Sequence, residues 1–172
     1  MINDSQYRKS WSFFPTGVSI LATQDDNENY LGMTANSVMS ISLNPKIIMV
    51  SVGNNRSILK FLQETKNASV SILSSKQSNV AEFFSSSTQN LLENNNFFYN
   101  SKDIYYIKDS LCYFYCEVMN SYLVGDHTVF SLKVDQMNLN ESISEENIEQ
   151  IENDNLQDST SEDKIEESDK ES

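Results

Sequence analysis

The chain has 172 residues, 22% of them charged, and a formal net charge of −13; this length suits one domain with a single core. The acidity is uneven: after Asn140 thirteen acidic residues stand against two lysines, so residues 1–140 carry a net of only −2. That near-neutral body lacks the basic stripe of a nucleic-acid surface, no apolar run reaches bilayer-spanning length and no basic start followed by an apolar run marks a signal peptide, so a cytoplasmic protein that binds neither nucleic acid nor membrane is expected.

Residues 5–14 read as a short helix with Tyr7, Trp11 and Phe14 on one face, stopped by Pro15-Thr16-Gly17. Residues 18–23 are a strand and residues 25–29 a polar turn. The stretch that follows organises the rest. From Met33 to Leu43 the odd positions are Met, Ala, Ser, Met, Ile and Leu, and the even ones Thr, Asn, Val, Ser and Ser. This is the period of a strand with one largely apolar face. Small hydroxyls and an amide on the other face leave room for a flat ligand and can hydrogen-bond it. An ordinary antiparallel strand with one face in water shows the same alternation.

After the turn at Asn44-Pro45-Lys46, residues 47–52 are apolar almost throughout, which predicts a strand covered on both faces. Gly53-Asn54-Asn55-Arg56-Ser57 is a loop opening a helix whose stripe is Ile58, Leu59, Leu62 and Phe61, with Ser57 as a candidate N-cap. Residues 68–73 are a strand, and residues 77–84 a helix with Val80, Phe83 and Phe84 inward. Residues 85–102, rich in Ser, Asn and Gln, read as a long loop with one helical turn. Residues 111–124 form a long strand or a bulged pair, Gly125-Asp126-His127 a tight turn, and residues 128–134 the last strand.

Cys112 and Cys116 share one apolar run. Four residues apart in a strand they stand about 13 Å from each other, too far to bridge, and buried core thiols are expected rather than a metal site. Beyond Met137 the chain has no aromatic residue and no glycine, and its few isoleucines sit among acids and amides. Such a composition cannot offset chain entropy by burial. The expected organisation is one domain over residues 1–137 and an acidic tail over residues 138–172, disordered from residue 141. The tail is a solubilising spacer or a docking segment. The order of elements predicts a mainly β fold, a closed or nearly closed antiparallel barrel with short helices at its rim.

Only four glycines occur, Gly17, Gly32, Gly53 and Gly125, each beside a polar cluster at an expected strand end. A chain so sparing of glycine uses it where the backbone requires it, and strand ends around a barrel mouth are good places to meet a ligand. Taken singly, each cluster is simply a turn. Likewise Ser57 reads as a helix cap, Arg56 as a solvated charge and His127, the lone histidine, as a turn residue.

As an ordered set, these segments resemble the flavin reductase-like family, the small reductase components of two-component flavin monooxygenases. The matching pieces are Phe14-Pro15-Thr16-Gly17-Val18, Gly32-Met33-Thr34-Ala35-Asn36-Ser37, Ser40-Ile41-Ser42-Leu43-Asn44-Pro45, Val50-Ser51-Val52, Arg56-Ser57, Val70-Ser71-Ile72-Leu73 and Gly125-Asp126-His127-Thr128. The resemblance covers residues 7 to about 136 and implies an FMN-binding split β-barrel, a homodimer, and hydride transfer from NADH or NADPH to FMN or FAD, with reduced flavin passed to a monooxygenase component. It also implies roles. Thr34, Ala35, Asn36 and Ser37 lie along the flavin ring and ribityl chain, and Ser51 and Val52 stand near the flavin. Arg56 and Ser57, at a helix start, suit its phosphate. His127 sits on the nicotinamide side, holding the hydride donor over the flavin, and Asp126 shapes the turn. The chain departs from the common family pattern at Asn36, where Ser is usual, at Val38 and Met39, where Phe and Thr are usual, and in ending on an acidic tail instead of a short aromatic-containing strand. No Rossmann-type fingerprint is present to distinguish NADH from NADPH. Two other readings fit the same residues: a flavin-holding electron carrier without turnover, and an interaction protein working through its tail.

Overall fold

The structure of the protein is a computed structural model that describes residues 2–86, 96–101 and 104–140. Seven strands form one antiparallel sheet: β1 (Ser19–Gln24), β2 (Tyr30–Ala35), β3 (Val38–Leu43), β4 (Lys46–Gly53), β5 (Asn67–Ile72), β8 (Cys112–Val124) and β9 (His127–Leu139). Their order across the sheet is β2-β1-β5-β8-β9-β4-β3. Laid flat, seven strands would span about 29 Å. Yet the two edges, β2 and β3, are joined by Asn36 and Ser37 alone, a reach of at most about 11 Å. The sheet must therefore roll until its edges meet, and the fold is a mainly β barrel split at this junction.

The junction corrects the single strand expected over residues 33–43. The chain crosses from one edge of the sheet to the other there, and the bend shifts the phase by one residue. Met33 and Ala35 are buried in the barrel, but in β3 it is Val38 that packs on the core, while Met39, Ile41 and Leu43 are exposed. A one-residue slip moves every later side chain to the opposite face.

The expectation that residues 47–52 are covered on both faces is also corrected. In β4, Ile48, Val50 and Val52 are buried, while Ile47, Met49 and Ser51 are half-buried. The doubly covered strands are β1, β2 and β5. Their inner face joins the barrel core of Leu21, Met33, Val70, Cys116 and Phe130, plugged by Ile58 and Leu62 of α2 (Ile58–Thr65). Their outer face, with Ile20, Ala22 and Tyr30, lies under Val80 and Phe84 of α3 (Ser78–Ser85) and a small hairpin. That hairpin, β6 (Phe98–Ser101) with β7 (Ile104–Ile107), was not expected; residues 98–101 fall in the predicted loop, and residues 87–95 lie outside the described residues. A 3-10 turn at Ser75–Gln77 leads into α3.

The first helix, α1 (Asp4–Trp11), is capped by the Asn3 side chain, which accepts from the Ser5 N–H at 2.8 Å, and it buries no residue. β8 is one long strand with irregularities at Tyr115/Cys116 and Val118/Asn120. Both cysteines are free and buried. Burial, with some help from Asp135, pushes the Cys116 thiol up to about 12, so it packs as an inert core residue. β9 runs to Leu139, paired with Cys112, two residues past the expected domain end. The acidic tail, from residue 141 on, lies outside the described residues.

Candidate functional site

The barrel junction, the loop after β4 and the β8–β9 hairpin meet around one cleft of about 700 Å³, within the 300–1,000 Å³ typical of ligand sites. Thr34, Ala35, Asn36 and Ser37 form one wall, Ser51 and Arg56 another, and His127 closes the side. Seven of the nine expected site residues thus line a single space, although they come from positions up to 93 apart in the chain.

Two expected residues do not line it. Val52 is fully buried in the barrel core, because strand alternation that turns Ser51 toward the cleft turns Val52 away. Ser57 stands exposed at the start of α2, outside the cleft, and its hydroxyl makes no capping bond. The helix therefore begins without a side-chain cap from Ser57, the residue directly after Arg56 in the chain.

The hydroxyls are more occupied than the sequence suggests. Thr34 Oγ1 donates to the Ala81 carbonyl at 2.6 Å and so anchors α3. Ser37 Oγ donates to the Ser51 carbonyl at 3.1 Å, and the Ser51 N–H donates back to the Ser37 carbonyl at 3.2 Å. These bonds clamp the crossover to β4. The Asn36 side chain is exposed between them.

The opposite rim is braced by Asn54 and Thr128, for which the sequence suggested no such role, around Gly53, one of the four glycines it singled out. Asn54 donates its N–H to the Asp126 carbonyl at 3.0 Å and accepts from Thr128 Oγ1 at 2.8 Å, which ties the β4 loop to the hairpin. Gly53 pairs with His127 across the strands. A Cβ there would stand 3.1 Å from Asn55 Oδ1 and 3.7 Å from His127 Nε2, so a bare backbone keeps the floor open. The Asn-Asn pair directly after a strand-ending glycine was the signal available for this rim. Gly125, at φ +61°, makes the two-residue turn before His127.

Asp126 does more than shape that turn. Its carboxylate lies 2.8 Å from His127 Nδ1. This hydrogen bond first, then the electrostatic pull of the neighbouring imidazole and a backbone hydrogen bond within the turn, hold the Asp126 carboxyl below its usual range. With the carboxylate accepting, the neutral ring carries its proton on Nδ1 and presents Nε2 as an acceptor. The imidazole is about half exposed, with Nε2 on the Gly53 side.

The residues fit a flavin: small side chains and backbone along a flat space, and a guanidinium beside a helix N-terminus for a phosphate. The comparisons with known proteins agree. The model of the Flavin reductase like domain matches residues 11–153. The NADH-dependent flavin reductase StyB of Pseudomonas fluorescens is 30% identical over 133 residues, covering 77% of each chain. Among solved structures, flavin reductase PheA2 in its native state superposes with a TM-score of 0.72 at 32% identity, over 81% of this chain and 90% of that one. The styrene monooxygenase flavin reductase SMOB from Pseudomonas putida S12 does so at 0.70 and 28% identity, over 78% and 85%. With a family match over most of its length and the barrel of that family's solved members, the chain belongs to the flavin reductase-like domain family.

Proposed function

We propose that the protein is an NADH-dependent flavin reductase that hands reduced FMN or FAD to a monooxygenase component. The observation that carries this is the single cleft joining residues 34–37, Arg56 and His127 in a chain of this family. A bound flavin supplies the acceptor for the hydride that reduced nicotinamide gives up, the balancing proton coming from water. The chain's own part is positioning. Backbone and short side chains of residues 34–37 seat the flat ring. Arg56 and the start of α2 hold the phosphate. His127 Nε2 accepts a hydrogen bond from the nicotinamide carboxamide, and Asp126 fixes the tautomer that lets it do so. The name of StyB supports NADH as donor, and SMOB is the reductase of a monooxygenase system. The test is NADH oxidation followed by absorbance with and without added FMN or FAD. Turnover that needs flavin is expected, and a protein inert with both flavins overturns the reading.

His127→Ala is expected to raise the apparent KM for NADH about tenfold, the worth of one good hydrogen bond, while FMN affinity changes far less. Unchanged kinetics would remove His127 from the site.

The working unit is a homodimer. Met39, Ile41 and Leu43 of β3 lie exposed beside half-buried Ile47 and Met49 of β4, and Tyr122, Leu123 and Val124 are exposed at the hairpin end. Apolar surface of this extent is what subunit contacts cover. Ile41→Lys is expected to weaken the dimer at least about tenfold in sedimentation velocity, and a wild-type protein that sediments as a monomer refutes the dimer. No helix among the described residues is long and apolar enough to cross a membrane. We place the protein in the cytoplasm, where its reduced nicotinamide donor is made.

A further inference from the structure

The imidazole on which the nicotinamide contact depends is weakly held by its own surroundings. His127 is about half exposed, and among the described residues its ring makes one hydrogen bond, to Asp126, whose side chain is 95% exposed. A bond between two adjacent side chains in water does not fix where both of them stand. The turn that carries them adds no packing: nothing lies within 4 Å of where a Cβ would stand on Gly125, and Tyr122, Leu123 and Val124 leading into it are exposed. The β4–β9 ladder ends at the pair of Gly53 and His127. Beyond it, both chain neighbours of His127 are tied to one residue, Asn54. The Asn54 N–H donates at 3.0 Å to the Asp126 carbonyl, which belongs to the peptide leading into His127, and Thr128 Oγ1 donates to Asn54 Oδ1 at 2.8 Å. The first bond is main chain and would form with most residues at position 54. The second needs both side chains. Thr128 is only 6% exposed, so its hydroxyl is shielded from water and depends on Asn54 for a partner.

We propose that Asn54 and Thr128 are positioning residues for His127: by locking the residues on either side of the imidazole to the β4 loop, the pair holds Nε2 on the Gly53 side of the cleft and keeps Nδ1 within reach of the Asp126 carboxylate. The kinetic consequence rests on the reductase reading; the orientation of the ring is a property of the chain alone. The pair acts through His127, so its effect falls on the nicotinamide donor and not on the flavin, whose ring and phosphate are assigned to residues 34–37 and Arg56. A ring that swings out of the cleft weakens the donor's apparent affinity in proportion to the time it spends away. A competent orientation reduced to about a third of the population weakens it about threefold.

His127 is the only histidine in the chain, so the nitrogen chemical shifts of its ring, read by NMR in alkaline buffer where the ring is neutral, report its tautomer directly. Thr128→Val removes the hydroxyl with little change of shape and leaves Asn54 Oδ1 to water. It is expected to turn the single Nδ1–H form into a mixture with the Nε2–H form. It should also raise the apparent KM for NADH about threefold, with kcat at saturating NADH and FMN affinity unchanged. Thr128→Ser keeps the donor and should restore both readouts. Asn54→Ala removes the same bond from the other side, so its effect on KM and that of Thr128→Val should not add; additive effects overturn the pairing. If Thr128→Val keeps the wild-type ring spectrum and KM while His127→Ala raises KM, the proposal fails and the reductase reading stands. If Thr128→Val weakens FMN binding as much as it raises KM, the pair braces the whole cleft and the proposal fails. If the wild type never oxidises NADH, the reductase reading fails and the ring spectrum alone decides: a tautomer mixture in Thr128→Val that Thr128→Ser reverses supports the proposal, and an unchanged spectrum overturns it.

Discussion

Arg56→Ala is expected to weaken FMN binding by about 10- to 100-fold, the equivalent of the roughly 1.5–3 kcal/mol of a hydrogen bond to a charged group. In the structure the guanidinium makes one long bond, Nη1 to the Ser85 carbonyl at 3.3 Å, a weak neutral acceptor that a phosphate would replace with profit to binding. The backbone around it is held independently, since the Arg56 N–H donates to the Gly53 carbonyl at 2.9 Å and the Leu59 N–H to the Arg56 carbonyl at 3.1 Å. Alanine keeps both bonds. The fold should therefore lose no more than about 0.5 kcal/mol, as for other surface substitutions. Riboflavin, which has the ring but no phosphate, separates the causes: its affinity should be the same in wild type and variant. Arg56→Lys should fall between, because an ammonium supplies the charge without the fork. Equal losses for riboflavin and FMN would mean that Arg56 acts by shaping the loop and not by meeting a phosphate.

The strands were legible because alternation is local, and β1, β4, β5 and β8 stand within one residue of where the pattern puts them, while β9 runs five residues past its expected end at residue 134. What alternation does not carry is the identity of a strand's neighbours. The pattern runs unbroken through Asn36-Ser37 while the chain passes from one edge of the sheet to the other. Only sheet closure, a property of all seven strands, breaks it there. The same limit explains β4. Its continuous apolarity looked like double burial, but the covers, α3 and the β6–β7 hairpin, lie over β1 and β2 instead. The second face of β4, with Ile47 and Met49, stays half-buried.

The site divides along the same line. Ser51 and Val52 are neighbours in a strand, and the period of two already says that only one of them can face a ligand; motif matching carried both. The role of Thr34 was beyond any local reading, since its hydroxyl is taken by Ala81, 47 residues on. Asp126 was read as a turn former because its neighbours are turn residues. Its grip on His127 follows from adjacency once the hairpin fixes both side chains on one rim. His127 itself reached the cleft only through the pairing of β9 with β4, which sets it opposite Gly53.

Gly32→Ala should destabilise the protein by about 2 kcal/mol, lowering Tm by roughly 4–8 °C at this chain length. The reason differs from the one the sequence suggests. Gly32 is neither at a strand end nor at positive φ; it sits within β2, opposite Ala22. A Cβ there would lie 2.7 Å from both Cδ1 and Cε1 of Phe84 and 3.4 Å from Ile20 Cγ2. Phe84 is fully buried and cannot yield freely, with the rings of Phe83, Phe97 and Phe98 at 5.1, 5.5 and 5.8 Å. Alanine's better strand propensity returns about 0.5–1 kcal/mol of the cost, which the clash outweighs. The displaced ring would also push on α3, whose Ala81 carbonyl holds Thr34 at the wall of the cleft, so FMN affinity should fall along with stability. A double-mutant cycle isolates the contact: Phe84→Leu removes part of the ring, and its cost in the Gly32→Ala background should be smaller than in the wild type by at least about 1 kcal/mol. Strictly additive losses would show that β2 accommodates the methyl elsewhere and that the glycine is not there to make room for Phe84.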